Sequence, residues 1–190
     1  MRAMLKSLLL VAFTLGASGC EVTRPLYPTG IYRTPTAFRR QQPSIAGSKA
    51  GLVAFQRKVL VIRHLNSISI HTKISLDSVW GYAADGWAYR IYRRGAYKVE
   101  QKDTLMIYSR HEGKATHYYF SAGLAGPVIS LSKNKLRQAF AENTVFVGLL
   151  RQLRWYESPL VSVQGPTTYK TYKVAALYRQ SLTLPSNQPR

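Results

Sequence analysis

The chain has 190 residues and a formal net charge of +19 at pH 7, because 27 Lys and Arg stand against 8 Asp and Glu. This length favours one domain over two, and a hydrophobic content of 46% is enough to build a core. The single cysteine excludes an intrachain disulfide and a cysteine-rich zinc module. No apolar run reaches the roughly 20 residues that a membrane-spanning helix requires.

The first twenty residues have the organisation of a secretory signal. Arg2 and Lys6 form a basic start, residues 8–15 are mostly apolar, and the small residues 16–19 lead into Cys20. A basic region, a short apolar region and small residues before a cleavage point define such a signal. We therefore predict that residues 1–19 are a signal peptide and that the protein is exported.

The segment Ala17-Ser18-Gly19-Cys20 resembles the lipobox of bacterial lipoprotein precursors, in which an aliphatic residue and two small residues precede an obligatory cysteine. The resemblance implies cleavage after Gly19, a diacylglyceryl group on the Cys20 sulfur and an acyl chain on the new amine. Several acyl chains anchor a protein stably in a membrane. The alternative interpretations are ordinary secretion of a soluble protein and an N-terminal core helix with an incidental cysteine.

The residue after the cysteine bears on the compartment. In enteric lipoproteins an Asp at this position implies retention in the inner membrane, whereas this chain has Glu21. The resemblance therefore implies the cell envelope, with the periplasmic face of the outer membrane as the expected location and the inner membrane still open.

The chain after the signal changes composition twice. Residues 20–50 are rich in Pro and polar residues and predict a lipidated tether, since Pro removes backbone donors from regular structure. Tyr27, Tyr32 and Phe38 interrupt this segment, which leaves open that part of it packs on the domain. Residues 51–180 predict a single domain, and residues 181–190 a flexible tail.

Short apolar stretches alternate with turn residues through the first half of the domain. Residues 59–62 are a β-branched run, and in residues 67–74 the three isoleucines and Thr72 share one face. Such alternation is typical of a half-buried antiparallel strand. Asp85-Gly86 predicts a hairpin turn, because this pair tolerates positive φ. Further strands are predicted within residues 87–92, 96–100, 104–108 and 116–120.

Helical signals follow these strands. Ser132 is a suitable N-cap for a helix over 133–141, and Asn143 for a second helix over the segment that follows, although that segment is ambiguous with a strand. Residues 169–178 predict a last strand or helix. The predicted fold class is α+β: an antiparallel β-meander, in a sandwich or small barrel, followed by one or two short helices.

Aromatic and basic residues crowd the predicted meander. They predict packing between strands or, alternatively, a binding face that stacks on sugars or bases and holds phosphates. The candidate binding face is Trp80, Tyr82, Trp87, Tyr89, Arg90, Arg93 and Arg94.

Catalytic patterns are absent from the sequence. The eight acids show no spacing that singles out a catalytic pair, and the four histidines form no close metal-ligand pair. We predict no catalytic residue, no metal and no cofactor. The alternative is an enzyme that modifies envelope polymers, which requires Glu100, Glu112, His111 or His117 to converge in one cleft.

The charge predicts the class of partner. A pI near 10.4 usually indicates nucleic acid, but export argues against it. The predicted function is that of a non-enzymatic lipoprotein held by membrane lipid through Cys20, whose basic domain contacts envelope polyanions or another envelope protein.

Overall fold

The computed structural model describes residues 27–53, 58–65, 68–154, 160, 162–164 and 170–184. The predicted signal peptide, the lipidation site Cys20 and the first residues of the predicted tether lie outside the described residues. None of the helices among the described residues has the length and apolar character needed to span a bilayer.

Antiparallel strands dominate the described part of the chain, and four helices accompany them. The strands are β1 (Gly30–Tyr32), β2 (Ile45–Ala46), β3 (Lys49–Val53), β4 (Lys58–Leu65), β5 (Ile68–Ser75), β6 (Gly81–Ala84), β7 (Trp87–Tyr92), β8 (Gly95–Gln101), β9 (Leu105–Glu112), β10 (Ala115–Ala122), β11 (Ile129–Ser130), β12 (Ser162–Gln164) and β13 (Lys170–Tyr172). The helices are α1 (Pro35–Arg39), α2 (Lys133–Ala139), α3 (Thr144–Gln152) and α4 (Lys173–Thr183), and a short 3-10 helix covers Leu76–Ser78.

The strands form one large sheet and two small ones. The eight-stranded sheet has the order β11-β10-β9-β8-β7-β6-β1-β2, a second sheet has the order β3-β4-β5, and β12 pairs with β13. Strands β6 to β10 are consecutive neighbours, so the predicted meander and the α+β class are confirmed. The two edge strands of the large sheet, β11 and β2, do not pair with each other, so the sheet is open. The small barrel, one of the two predicted architectures, is therefore wrong.

Both faces of the large sheet are covered, because its strands carry apolar residues on each side. On the first face, Phe38 of α1 and Leu124 of the loop after β10 pack against Met106 and Tyr108. On the second face, the β3-β4-β5 sheet covers the β6–β7 end, and α2 to α4 cover the β9–β10 end. Strand alternation separates the two faces, since neighbouring side chains point to opposite sides.

The structure corrects the predicted tether. Residues 27–50 form β1, α1, β2 and the start of β3, so they belong to the folded domain. Tyr32 and Phe38 are completely buried. Pro35 does not oppose this, because it lies at the start of α1, where no intrahelical amide donor is needed. Thr34 caps the same helix by accepting a hydrogen bond from the Ala37 amide at 3.1 Å.

The predicted helix starts are confirmed. The hydroxyl oxygen of Ser132 accepts a hydrogen bond from the Lys135 amide at 3.3 Å, and Asn143 Oδ1 accepts one from the Phe146 amide at 2.9 Å. The segment over 169–178 contains both predicted alternatives, because β13 passes directly into α4. The predicted tail starts too early: α4 reaches Thr183, and residues 185–190 lie outside the described part.

The face predicted to be buried on β5 is buried only in part. Thr72 and Ile74 are partly covered, whereas Ile68 is 67% exposed and Ile70 is 37% exposed. Burial decreases toward the turn of the hairpin, because Ile70 and Ile68 lie farthest along the strand pair from Val59 and Val61, the fully buried residues of β4.

Candidate functional site

The seven residues of the predicted binding face do not form one face. Trp80 and Arg90 lie on the first face of the large sheet, with α1 and the loop after β10. Tyr82 and Tyr89 lie on the second face, against the β3-β4-β5 sheet. Trp87 lies on the same face as Tyr89, because the two residues are two positions apart on β7.

Trp80 is a core residue. Its ring stacks on Phe38 with the centroids 4.3 Å apart, and its Nε1 donates a hydrogen bond of 2.9 Å to the Leu124 carbonyl oxygen. Both groups that a ligand would use, the ring and the indole N–H, are therefore occupied by the fold.

Tyr82 and Tyr89 are also packed by the fold. They are directly opposite each other on β6 and β7, and their rings stack at 4.9 Å with 12° between the planes. Burial raises the pKa of Tyr82 to about 12, with a further contribution from Tyr89. The pair acts as a cross-strand contact beneath the β3-β4-β5 sheet.

Arg90 is an internal cation. It is 4% exposed and donates hydrogen bonds to the Tyr108 hydroxyl at 2.9 Å, the Ser121 hydroxyl at 3.1 Å and the Gly126 carbonyl at 2.7 Å. Its Nε has no hydrogen-bond partner within the described residues. These contacts hold the loop after β10 against the sheet, so the guanidinium belongs to the interior.

Trp87 lies in a polar group at the middle of the second face. Lys98 Nζ is 3.6 Å from the centroid of the Trp87 ring and 3.3 Å from Glu100 Oε1. The Ser109 hydroxyl donates a 2.5 Å hydrogen bond to the same carboxylate oxygen. An irregularity in the β8–β9 register between Val99 and Gln101 allows this arrangement, since a bulge changes the direction of the side chains beside it.

Gln101, which lies at the same register irregularity, connects β8 to β13. Gln101 donates a hydrogen bond of 2.6 Å to the Thr171 hydroxyl and accepts one of 2.9 Å from the Tyr172 amide. The pKa of Tyr172 is raised to about 12 by burial, with smaller contributions from Glu100 and Tyr118. These bonds fasten β13 to the large sheet, which makes the cluster structural.

The four residues that the enzyme alternative requires do not converge within the described part of the chain. Glu100 is held by Ser109 and Lys98, as above, while His111 hydrogen-bonds Thr116 at 2.9 Å in the next hairpin. Glu112 pairs with Arg110 at 3.2 Å. Glu112 and His117 lie on the first face, because His117 is opposite Arg110 in the register. Among the described residues, no three His, Cys, Asp or Glu are grouped closely enough to hold a metal ion.

Arg93 and Arg94 are the exposed members of the predicted face. They form the two-residue turn between β7 and β8, whose flanking residues Tyr92 and Gly95 are paired. Their φ angles are 47° and 66°, in the left-handed region that non-glycine residues rarely adopt. The preceding hairpin has the same geometry with Asp85-Gly86, the pair that this turn type prefers. Two adjacent arginines in this turn therefore store strain that Asn-Gly would release.

A pocket of about 490 Å³ opens beside this turn. The two arginines and Tyr92 form one side, and the guanidinium of Arg93 lies 5.5 Å from the centroid of the Tyr92 ring. The opposite side comes from the segment that follows β5. The complete lining is Leu76, Asp77, Val79, Ile91, Tyr92, Arg93 and Arg94.

The charges of this pocket favour an anion. The lining contains two arginines and one acid, Asp77, whose backbone amide donates a hydrogen bond to the Ser75 hydroxyl oxygen at 3.4 Å. Guanidinium groups bind phosphate and carboxylate with paired hydrogen bonds. The turn itself was predictable from Arg93-Arg94-Gly95, but the Leu76–Val79 side was not, because only tertiary packing brings it to the turn.

No protein-family model, no curated protein and no solved structure matches this chain.

Proposed function

We propose that the mature protein is a lipoprotein of the bacterial cell envelope, anchored through Cys20, and that it binds anionic groups of envelope polymers at the Arg93–Arg94 pocket. The role is one of binding, and the expected location is the periplasmic face of the outer membrane. The support for anchoring is the sequence Ala17-Ser18-Gly19-Cys20. The support for binding is the geometry of the pocket.

The observation that carries the binding proposal is the strained turn. Backbone strain of about 1–3 kcal/mol per residue persists where the surrounding structure requires it, and it is concentrated at functional sites. Arg93 and Arg94 retain positive φ angles although the neighbouring hairpin shows the unstrained alternative. This turn brings both arginines into the lining of the pocket.

The wider surface supports the same class of ligand. The described ion pairs join Asp103 to Arg179, Glu112 to Arg110 and Glu100 to Lys98. Most of the 27 basic residues have no acid to match them, because there are only 8 acids. Long-range attraction of this kind raises the local concentration of an anionic polymer before it reaches the pocket.

The binding test replaces the turn without removing the hairpin. In Arg93→Asn/Arg94→Gly the turn acquires the residues it prefers, so the free energy of unfolding should rise by about 1 kcal/mol. Binding to purified lipopolysaccharide, which presents phosphates, and to polygalacturonate, which presents carboxylates, should weaken at least about tenfold, as expected when two guanidinium contacts are lost. Calorimetric titration at low and high salt measures binding to both polymers.

The matched control removes two exposed cations elsewhere. Lys114→Gln/Arg151→Gln changes the net charge by the same amount but leaves the turn intact. If this control weakens binding as much as the turn variant does, attraction is diffuse and the pocket is not the site. If one polymer binds and the other does not, the chemical group is identified.

The anchoring test is independent of the pocket. Cells that make the full chain should incorporate labelled palmitate, and Cys20→Ala should abolish the label. Label that persists in Cys20→Ala, or that never appears, would show that the protein is not anchored in this way.

A further inference from the structure

The end of the β4–β5 hairpin nearest its turn carries exposed apolar side chains. Val59 and Val61 are fully buried on the inner side of β4, and Thr72 lies opposite Val61. Farther along the same side, Ile70 lies opposite Arg63, followed by Ile68. Both isoleucines are exposed. The hairpin tip, defined here as Arg63, His64 and residues 68–71, therefore presents its core-type side chains to the outside.

Toward the turn of the hairpin, Ile70 and Ile68 come after Thr72, which is partly covered. Ile68 lies four positions from Thr72, which corresponds to roughly 13 Å of strand. Surface-bound segments bury their apolar side about 5–10 Å into the boundary between lipid headgroups and acyl chains. Both isoleucines can reach this depth while the rest of the domain stays in water.

The hairpin and its neighbour β3 carry only positive charge. Their described residues include four exposed cations and no acid: Lys49, Lys58, Arg63 and Lys73. Arg63 lies at the tip opposite Ile70, and Lys49 lies beside it opposite Ile62, whereas Lys58 and Lys73 lie farther along the hairpin. Exposed isoleucines with cations beside them are complementary to a bilayer with anionic headgroups.

We propose that the hairpin tip inserts into the interface of an anionic lipid bilayer. This proposal rests on the proposed function only for the presence of a membrane nearby. A protein partner fits less well, because a specific protein interface buries about 1,200 Å² or more, and the exposed apolar side chains among the described residues of the tip are Ile68 and Ile70.

This docking also orients the pocket. β5 runs from the tip at Ile68 to Ser75, and Leu76 and Asp77 of the pocket follow directly. Eight residues of strand span about 25 Å. With the tip in the bilayer, the Arg93–Arg94 pocket faces away from the membrane, toward polymers in the surrounding space.

The test places a label at the tip of the acylated mature protein. The thioether blocks the sulfur of Cys20, so a cysteine introduced by Ile68→Cys is the one free thiol and takes an environment-sensitive fluorophore. The protein is reconstituted in vesicles of phosphatidylcholine with one quarter phosphatidylglycerol, with and without nitroxide-labelled lipid. The matched control carries the label at Leu182→Cys, since Leu182 is 53% exposed on α4.

The expected result is a blue shift and a loss of fluorescence with nitroxide lipid at the Ile68→Cys label, and neither at the Leu182→Cys label. Both should diminish in vesicles of phosphatidylcholine alone, in the added variant Arg63→Gln/Lys73→Gln, and when salt is raised so that the screening length falls below about 5 Å. An unshifted label at the tip, or equal quenching at both positions, would overturn the proposal. The proposal would also be overturned if the protein in detergent sedimented as a dimer in which the hairpin tip is protected. A second copy of the chain would then cover the tip.

The test of the hairpin tip can fail or succeed independently of the tests of the proposed function. Loss of polymer binding in the turn variant concerns Arg93 and Arg94, and it leaves the tip unchanged. If mass spectrometry finds no lipid on Cys20, the same labels in a Cys20→Ser background are tested by adding vesicles to the released protein. A blue shift there supports the tip, and its absence contradicts it.

Discussion

Arg90 and Gly126 are joined by a hydrogen bond of 2.7 Å from a guanidinium nitrogen to a backbone carbonyl oxygen, although 36 residues separate them. The same guanidinium binds the hydroxyl groups of Tyr108 and Ser121. One side chain thus fixes the loop after β10 to the large sheet.

We expect Arg90→Lys to lower the free energy of unfolding by about 2–4 kcal/mol, because an ammonium group cannot reproduce the planar set of donors and leaves buried acceptors unpaired. Urea denaturation measures the change. Arg94→Lys, at an exposed position nearby, should stay within about 0.5 kcal/mol of the wild type. Equal effects at the two positions would show that the buried contacts of Arg90 carry no special stability.

Phe38 tests whether the Pro-rich segment is part of the domain. Its ring lies between Tyr27 and Trp80, at centroid distances of 5.2 and 4.3 Å. Phe38→Ala should cost about 3–5 kcal/mol in thermal or urea unfolding, because it removes a fully buried ring and leaves a cavity. Thr36→Ala, exposed on the same helix, should change little. A tether would show no difference between the two variants.

The two helix caps differ in what else they hold. Asn143 caps α3 and also donates from Nδ2 to the Ser181 hydroxyl of α4 at 3.0 Å, whereas the Ser132 side chain caps α2 and has no second hydrogen-bond partner within the described part of the chain. Asn143→Ala should therefore cost about 1.5–2.5 kcal/mol, and Ser132→Ala about 1 kcal/mol. Chemical denaturation of both variants checks the order, and a larger loss for Ser132→Ala would contradict it.

Asp103 and Arg179 connect the β8–β9 turn to α4 through an ion pair. Burial opposes the charged form, but hydrogen bonds from Arg179 and Thr104 lower the pKa of Asp103 below its usual range. A lowered pKa in the folded state contributes stability above the unfolded value of about 3.9, and this stability disappears as the pH falls through the folded pKa.

Arg179→Gln should therefore be less stable than the wild type at pH 7, by less than about 1 kcal/mol for an exposed pair. The difference should shrink as the pH falls from 7 through the folded pKa of Asp103, because the carboxyl then becomes neutral and no longer pairs with Arg179. Urea unfolding across this range measures it. A difference that stays constant with pH would show that Arg179 acts by packing and not through its charge.

Much of the local structure was predictable. Asp85-Gly86 predicted its hairpin because positive φ is a property of the turn itself, and Ser132 predicted the start of α2 because a cap is satisfied within four residues. The candidate site was less predictable. Trp80 and Tyr82 are close in sequence, yet they pack on opposite faces of the sheet. Among the seven candidate residues, Arg93 and Arg94, at the end of a hairpin, are the exposed ones.

The sequence by itself determined the strand order of the meander, the helix caps and the basic charge, because periodicity, short-range hydrogen bonding and composition are local properties. Only the tertiary structure decided that residues 27–50 belong to the core, that Arg90 lies inside, and that Ile68 and Ile70 lie outside. Burial depends on which element packs on each face and how far it reaches. That information is shared among residues distant in the chain, and no single segment contains it.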